Sequence, residues 1–225
     1  MSKYVNLIGY EAEGLFSSVE KVDEKFAKVE YDGSIQCRNS ESKNFLKREI
    51  VTRPFTIEEI DSFFENGGTI LPNRVNDSCG GHVHISLTSK GYYGMLANEN
   101  FANASTFFIQ NYFIENCGSF TKTQLMRIIH GTKYCQIGTD SYTIQNQIEV
   151  SAKSHCRYHA INFCERLHGT IEFRLVPAFS VRQKKELVQF IKALVQFIEN
   201  YLFELEDNYV DATLLREFKI NPQKL

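Results

Sequence analysis

At 225 residues, with 43% hydrophobic and 23% charged side chains, the chain has the length and composition to bury a sizeable core, which excludes an intrinsically disordered protein. Twenty-five Lys and Arg against 27 Asp and Glu leave a net charge of -2, without the basic excess that binds nucleic-acid backbones, so no nucleic-acid partner is expected. No stretch of about 18 apolar residues could span a bilayer and no apolar run suits a signal peptide, so the expectation is a cytoplasmic protein with no membrane partner. In that setting Cys37, Cys79, Cys117, Cys135, Cys156 and Cys164 read as buried free thiols, and none forms a CxxC pair.

Residues 4–13 alternate loosely between apolar and polar and stop at Gly14, which predicts a strand. Further extended stretches are expected over 27–31, before the turn signal Asp32-Gly33-Ser34, and over 45–52, before Arg53-Pro54. Thr56-Ile57-Glu58-Glu59 reads as a capping box opening a helix that Gly67-Gly68 ends. Residues 80–87 form the next predicted strand, and its leading Gly pair admits close backbone approach by a ligand. Residues 97–129 are predicted helical with aromatics in the core, 142–150 alternate again, and 170–175 form a strand. Apolar residues from Leu187 to Leu205 recur in three- and four-residue steps, so a helix over 181–205 with Ser180 as N-cap buries one face. With no repeat or linker, strands interrupted by helices indicate one α+β domain.

Three alternate-residue polar pairs carry the candidate chemistry. Residues two apart on a strand face the same side about 7 Å apart, so Glu11 and Glu13 place two carboxylates over one surface. Such a pair is either a solvated strand edge or a divalent-cation site, since a cation turns the repulsion into binding. In Cys79-Gly80-Gly81-His82-Val83-His84-Ile85-Ser86 two imidazoles share a strand face with Ser86, which suits metal ligation or donation to phosphate as well as structural hydrogen bonding. Glu172 and Arg174 repeat the geometry with opposite charges, either as a mutual ion pair or as a metal ligand beside an anion-binding fork. His155 and His159 have helical zinc spacing, although Arg157 between them favours structural roles.

The order of these motifs resembles the amidoligases, small relatives of glutamine synthetase within the carboxylate-amine ligase superfamily. The resemblance runs over about residues 5–178, through Gly9-Tyr10-Glu11-Ala12-Glu13, Asp32-Gly33-Ser34-Ile35, Glu49-Ile50-Val51-Thr52-Arg53-Pro54, the His82 segment and Arg157-Tyr158-His159-Ala160-Ile161-Asn162, to the Glu172 strand. It implies a curved antiparallel β-sheet backed by helices, like the glutamine synthetase catalytic domain, binding ATP and Mg2+ (or Mn2+). The catalytic part would occupy residues 1–180, with 181–225 a helical extension of the same domain.

Carried over position by position, Glu13 and Glu49 are ligands of one ion, with Asp32 a weaker candidate there. Glu11, His82 and Glu172 are ligands of an ion between the ATP phosphates. His84, Ser86, Gly80 and Gly81 line the nucleotide, Arg157 contacts transferring phosphate, and Arg174 holds phosphate or the substrate carboxylate. His159 departs from the Arg of many relatives, and the additional N-terminal domain of full glutamine synthetases is missing, so glutamine synthesis itself is not expected.

The implied activity is ATP-dependent joining of a carboxylate to an amine through an acyl phosphate, on small-molecule or peptide substrates in a bacterial or phage setting. Asp77, in the loop 72–78, is a candidate base. A metal-dependent phosphotransferase, a metal hydrolase and a degenerate nucleotide- or peptide-binding protein are the alternatives, and a homo-oligomer paired through the C-terminal helix is left open.

Overall fold

Strand β1 (Val5–Phe16) has both backbone edges occupied, by β3 (Leu46–Thr52) on one side and β4 (Gly80–Leu87) on the other. In the computed structural model, which describes residues 2–18, 22–37, 44–149, 158–164 and 169–217, β2 (Ala27–Glu30) extends the sheet beyond β3. Beyond β4 follow β6 (Thr170–Pro177) and then β5 (Ile161–Cys164). The order is β2-β3-β1-β4-β6-β5 and every pairing is antiparallel, so the expected α+β class with an antiparallel sheet is found.

Period-two alternation gives the sheet two unlike faces. Ile8, Tyr10 and Ala12 of β1, Ile50 of β3, Val83 and Ile85 of β4, and Ile171, Phe173 and Leu175 of β6 are all buried on one face. Against it pack α1 (Ile60–Asn66), α2 (Lys90–Leu96), α3 (Glu99–Glu115) and α6 (Lys184–Glu217), whose buried side chains belong to the same apolar cluster. Rings interlock between elements: Phe197 of α6 stacks on Phe108 of α3 at 4.6 Å, and Phe190 lies 4.7 Å from Phe113. Helices α4 (Lys122–His130) and α5 (Ser141–Glu149) complete the six α-helices among the described residues, α4 against β6 and α5 against β5.

Helix α6 also holds the start of β1. Glu199 Oε1 accepts hydrogen bonds from the backbone N–H groups of Tyr4 at 2.8 Å and Val5 at 3.0 Å, and Glu206 Oε2 accepts from the Tyr4 hydroxyl at 2.6 Å and from Lys3 Nζ at 2.8 Å.

Several elements differ from the sequence expectation for identifiable reasons. Strand β1 runs through Gly14, because the absent side chain there admits Pro72 and does not end the strand. Helix α1 starts at Ile60: Glu59 Oε2 accepts from the Thr56 N–H at 2.9 Å, which closes a turn before the helix. Residues 97–129 split into α3 and α4 around a short 3-10 turn, Cys117–Ser119. Residues 141–149 are helical; the alternation of Tyr142, Ile144 and Ile148 misleads, since the buried set Thr143, Ile144 and Gln147 follows a helical step. Strand β5 went unread, and the last helix continues to Glu217.

A Cβ on Gly14 would lie 2.3 Å from the Cβ of Pro72, so Gly14→Ala should cost about 1–3 kcal/mol through overpacking, read as a lower urea midpoint in equilibrium unfolding.

Candidate functional site

The second face of the sheet floors a cleft of about 700 Å³. Residues directly opposite in an antiparallel sheet share a face, so the strand register arranges the polar side chains in transverse rows. The first row is Glu30, Glu49 and Glu13, from β2, β3 and β1. The second is Lys28, Val51, Glu11 and His82, and the third is Gly9, His84, Glu172 and Asn162. A fourth row, Leu7, Ser86, Thr170 and Cys164, closes the floor. Thus all three sequence pairs do converge: Glu11, Glu13, His82, His84, Glu172 and Arg174 line this cleft together with Glu49 and Asp32.

Like charges facing one another across strands repel, and among the described residues the cleft sets Glu11, Glu13, Glu30, Asp32, Glu49 and Glu172 against Lys28 and Arg174 as fixed cations. The protein supplies partial compensation. His82 Nδ1 lies 2.8 Å from Glu11 Oε2 and His84 Nε2 lies 3.1 Å from Glu11 Oε1. Burial works against the Glu11 carboxylate, yet these hydrogen bonds outweigh it and hold its pKa far below the usual range. Burial likewise opposes charge on Glu172, but Arg174 Nη1 donates to its Oε1 at 2.6 Å and, with both histidines nearby, keeps it ionised and its pKa low. For His84, burial is overcome by the Glu11 hydrogen bond and the Glu172 charge, which raise its pKa. Glu13 Oε2 accepts the Gly80 N–H at 2.6 Å. Glu49 has the opposite fate: burial, followed by the charges of Glu11, Glu13 and Asp32, pushes its carboxyl up to about 8.

Two triads bring ligand atoms within 4.8 Å of one another, Glu11 with His84 and Glu172, and Glu11 with Glu49 and His82. Carboxylate oxygens with one imidazole each suit a hard divalent ion, and the surplus of acid suits positive charge. His82 Nε2 adds to the fit: it is buried, and its nearest acidic neighbour, Glu13 Oε1, is 3.7 Å away, too far for a hydrogen bond. Glu11 belongs to both triads; the expected set of Glu11, His82 and Glu172 is also close, with His82 Nδ1 2.8 Å from Glu11 Oε2 and 3.5 Å from Glu172 Oε1, and Glu13, expected with Glu49, accepts the Gly80 amide.

The other candidates fall in different places. Ser86 lines the cleft and its Oγ accepts the Leu7 N–H at 3.0 Å across the irregular start of the β1–β4 pairing. Gly80 and Gly81 do not line it. A Cβ on Gly80 would meet Arg127 Nη2 at 2.4 Å and one on Gly81 the Tyr10 hydroxyl at 2.8 Å, so the pair admits the protein's own side chains. Asp32 accepts the Ser34 N–H at 2.7 Å, Asp77 lies off the cleft, and His159 Nδ1 lies 2.8 Å from the Gly138 carbonyl. Arg157 and His155 lie outside the described residues.

Arg127 of α4 was not foreseen. It reaches over Gly80, and its Nη2 stands 3.5 Å from the Arg174 carbonyl oxygen. An Arg within the amphipathic run Gln124-Leu125-Met126-Arg127-Ile128-Ile129 carries no local sign of that destination. Asn162, within a motif already noted, donates to Glu172 Oε2 at 2.8 Å.

Comparison with known proteins gives one family: the model described as "Putative amidoligase enzyme" matches residues 11–186, a span that contains every cleft carboxylate. No curated protein matches, and no solved structure matches. No helix among the described residues is long and apolar enough to cross a membrane.

The raised Glu49 pKa has a signed consequence. A carboxyl whose folded pKa exceeds its unfolded value binds more protons when folded, so its contribution to stability is full below about pH 4.5 and is lost as pH rises through about 8. Glu49→Gln should therefore match wild type in melting temperature near pH 4.5 and exceed it at pH 9 in metal-free buffer, as followed by differential scanning calorimetry.

Proposed function

This chain belongs to the amidoligase family, and we propose that it is an ATP- and Mg2+-dependent carboxylate-amine ligase that forms an amide or peptide bond through an acyl phosphate. The observation that carries this reading is the double triad sharing Glu11, set beside the Arg174 fork in an acid-rich cleft. The proposal includes a glutamine synthetase-like ancestry for the sheet, a cytoplasmic setting, and small-molecule or peptide carboxylate and amine substrates.

A carboxylate resists attack by an amine because its leaving group would be oxide. ATP supplies the phosphoryl group that activates it, and Mg2+ supplies charge against the phosphoryl oxygens. The residues that would hold the ions are Glu11, Glu49, His82, His84 and Glu172, with Glu13 beside them. Arg174 is held against Glu172 through Nη1, while its buried Nε has no hydrogen-bond partner among the described residues, so the guanidinium retains donor capacity for a phosphoryl or carboxylate oxygen. Because these groups sit on paired strands, they are fixed before substrate arrives, which is the condition for strong electrostatic stabilisation of developing charge. Val51 and Pro54 provide apolar surface at the cleft for uncharged parts of the ligands.

Incubation with ATP, Mg2+, hydroxylamine and a panel of amino acids and short peptides tests the reading. An ATP-dependent hydroxamate is the expected product. A stable phosphorylated product with no hydroxamate would indicate a phosphotransferase, and nucleotide binding with no turnover on any member would indicate a degenerate binding protein. Glu11→Ala and Glu172→Ala should each lower ATP turnover by at least about 100-fold while leaving far-ultraviolet circular dichroism unchanged.

A further inference from the structure

Glu172 has two oxygens with separate tasks. Oε1 faces Arg174 Nη1 at 2.6 Å and the two histidines, His82 Nδ1 at 3.5 Å and His84 Nε2 at 3.9 Å. Oε2 faces away from them and accepts from Asn162 Nδ2 at 2.8 Å. A side-chain amide can present either its oxygen or its nitrogen, and in the wrong orientation Asn162 would set an oxygen against a carboxylate. Its orientation is decided by Gln147 of α5, whose Nε2 donates to Asn162 Oδ1 at 2.9 Å. Gln147 is oriented in turn by the backbone, since its Oε1 accepts the Phe163 N–H at 3.1 Å on β5, the strand at the edge of the sheet. All three side chains are at most 9% exposed.

We propose that Gln147 and Asn162 are positioning residues forming a two-amide relay, from the β5 backbone to Glu172, that holds one carboxylate oxygen and so fixes the plane of the group, leaving the other oxygen turned to the metal-binding cleft. The inference rests on the metal reading of the cleft given above. With Asn162 Nδ2 on Oε2, the other oxygen of Glu172 is turned toward Arg174, His82 and His84. The relay runs from α5 through Asn162 on β5, and neither amide belongs to the two ligand triads.

Mn2+ binding, followed by electron paramagnetic resonance of the free ion in the absence of nucleotide, separates this role from mere packing. Gln147→Glu keeps the acceptor for the Phe163 N–H but replaces the donor to Asn162, so the Asn162 amide is driven to the wrong orientation. Asn162→Ala removes the donor to Glu172. Each should weaken Mn2+ binding about 10- to 100-fold. Gln147→Met, with similar length and neither polar atom, carries the test where Gln147→Glu does not fold. Ile144→Val, a buried change elsewhere on α5, should lower the melting temperature by a few degrees and leave Mn2+ affinity at the wild-type value. Wild-type affinity in the relay variants, or losses that follow melting temperature across all variants including Ile144→Val, would overturn the relay alone. A wild-type protein that binds no Mn2+ at millimolar concentration would overturn the metal reading and this inference with it.

Discussion

Glu30, Glu49 and Glu13 face one another across three neighbouring strands, and Glu11 and Glu172 lie one and two rows further along the same face. Carboxylates at cross-strand spacing destabilise a sheet, and the low-dielectric wall of a cleft sharpens the repulsion. Most of the polar architecture acts against that cost. Two imidazoles hold Glu11, a guanidinium and an amide hold Glu172, and a backbone N–H holds Glu13. Glu49 lacks such a partner among the described residues, and burial, followed by the charges of Glu11, Glu13 and Asp32, raises its pKa. The divalent cation proposed for the cleft would offset the charge that the protein leaves uncompensated.

The opposite face makes this tolerable. Its apolar side chains are locked between the sheet and α1, α2, α3 and α6, with aromatic rings bridging the helices. Strand register is strongly specified where one face is buried, because a slip of one residue would turn every core side chain outward. The same rule fixes the cleft rows: with Ala12 paired to Ile50 on the core side, Glu13 must meet Glu49, and with Tyr10 paired to Val83, Glu11 must meet His82. The electrostatics of one face are thus imposed by the packing of the other.

That coupling explains what could be read from sequence. The strand holding His82 and His84 was legible to its ends, because Val83 and Ile85 alternate with polar residues after a Gly pair. The faces of Glu11, Glu13, Glu172 and Arg174 followed from the same alternation. Strand order did not, because nothing local in residues 80–87 says that they pair with both β1 and β6. Contributions from helices were hidden for a related reason. Arg127 and Gln147 sit in ordinary amphipathic runs, and only the packing of α4 and α5 against the sheet brings them to Glu13, Arg174 and Asn162. The Gly80-Gly81 pair was read as admitting a ligand, and the groups that approach it are Arg127 and Tyr10.

The bonds from α6 to the start of β1 order events in time. β1 is synthesised before the strands it pairs with, and the acceptor for the Tyr4 amide just ahead of it lies 195 residues further along the chain. At roughly 5–20 residues per second, Glu11 and Glu13 wait on the order of 10–40 s before that helix can hold their strand. His82, which bonds Glu11, arrives much sooner, 71 residues after it. The cross-strand partner of Glu11 is thus synthesised well before the C-terminal helix that holds the start of β1.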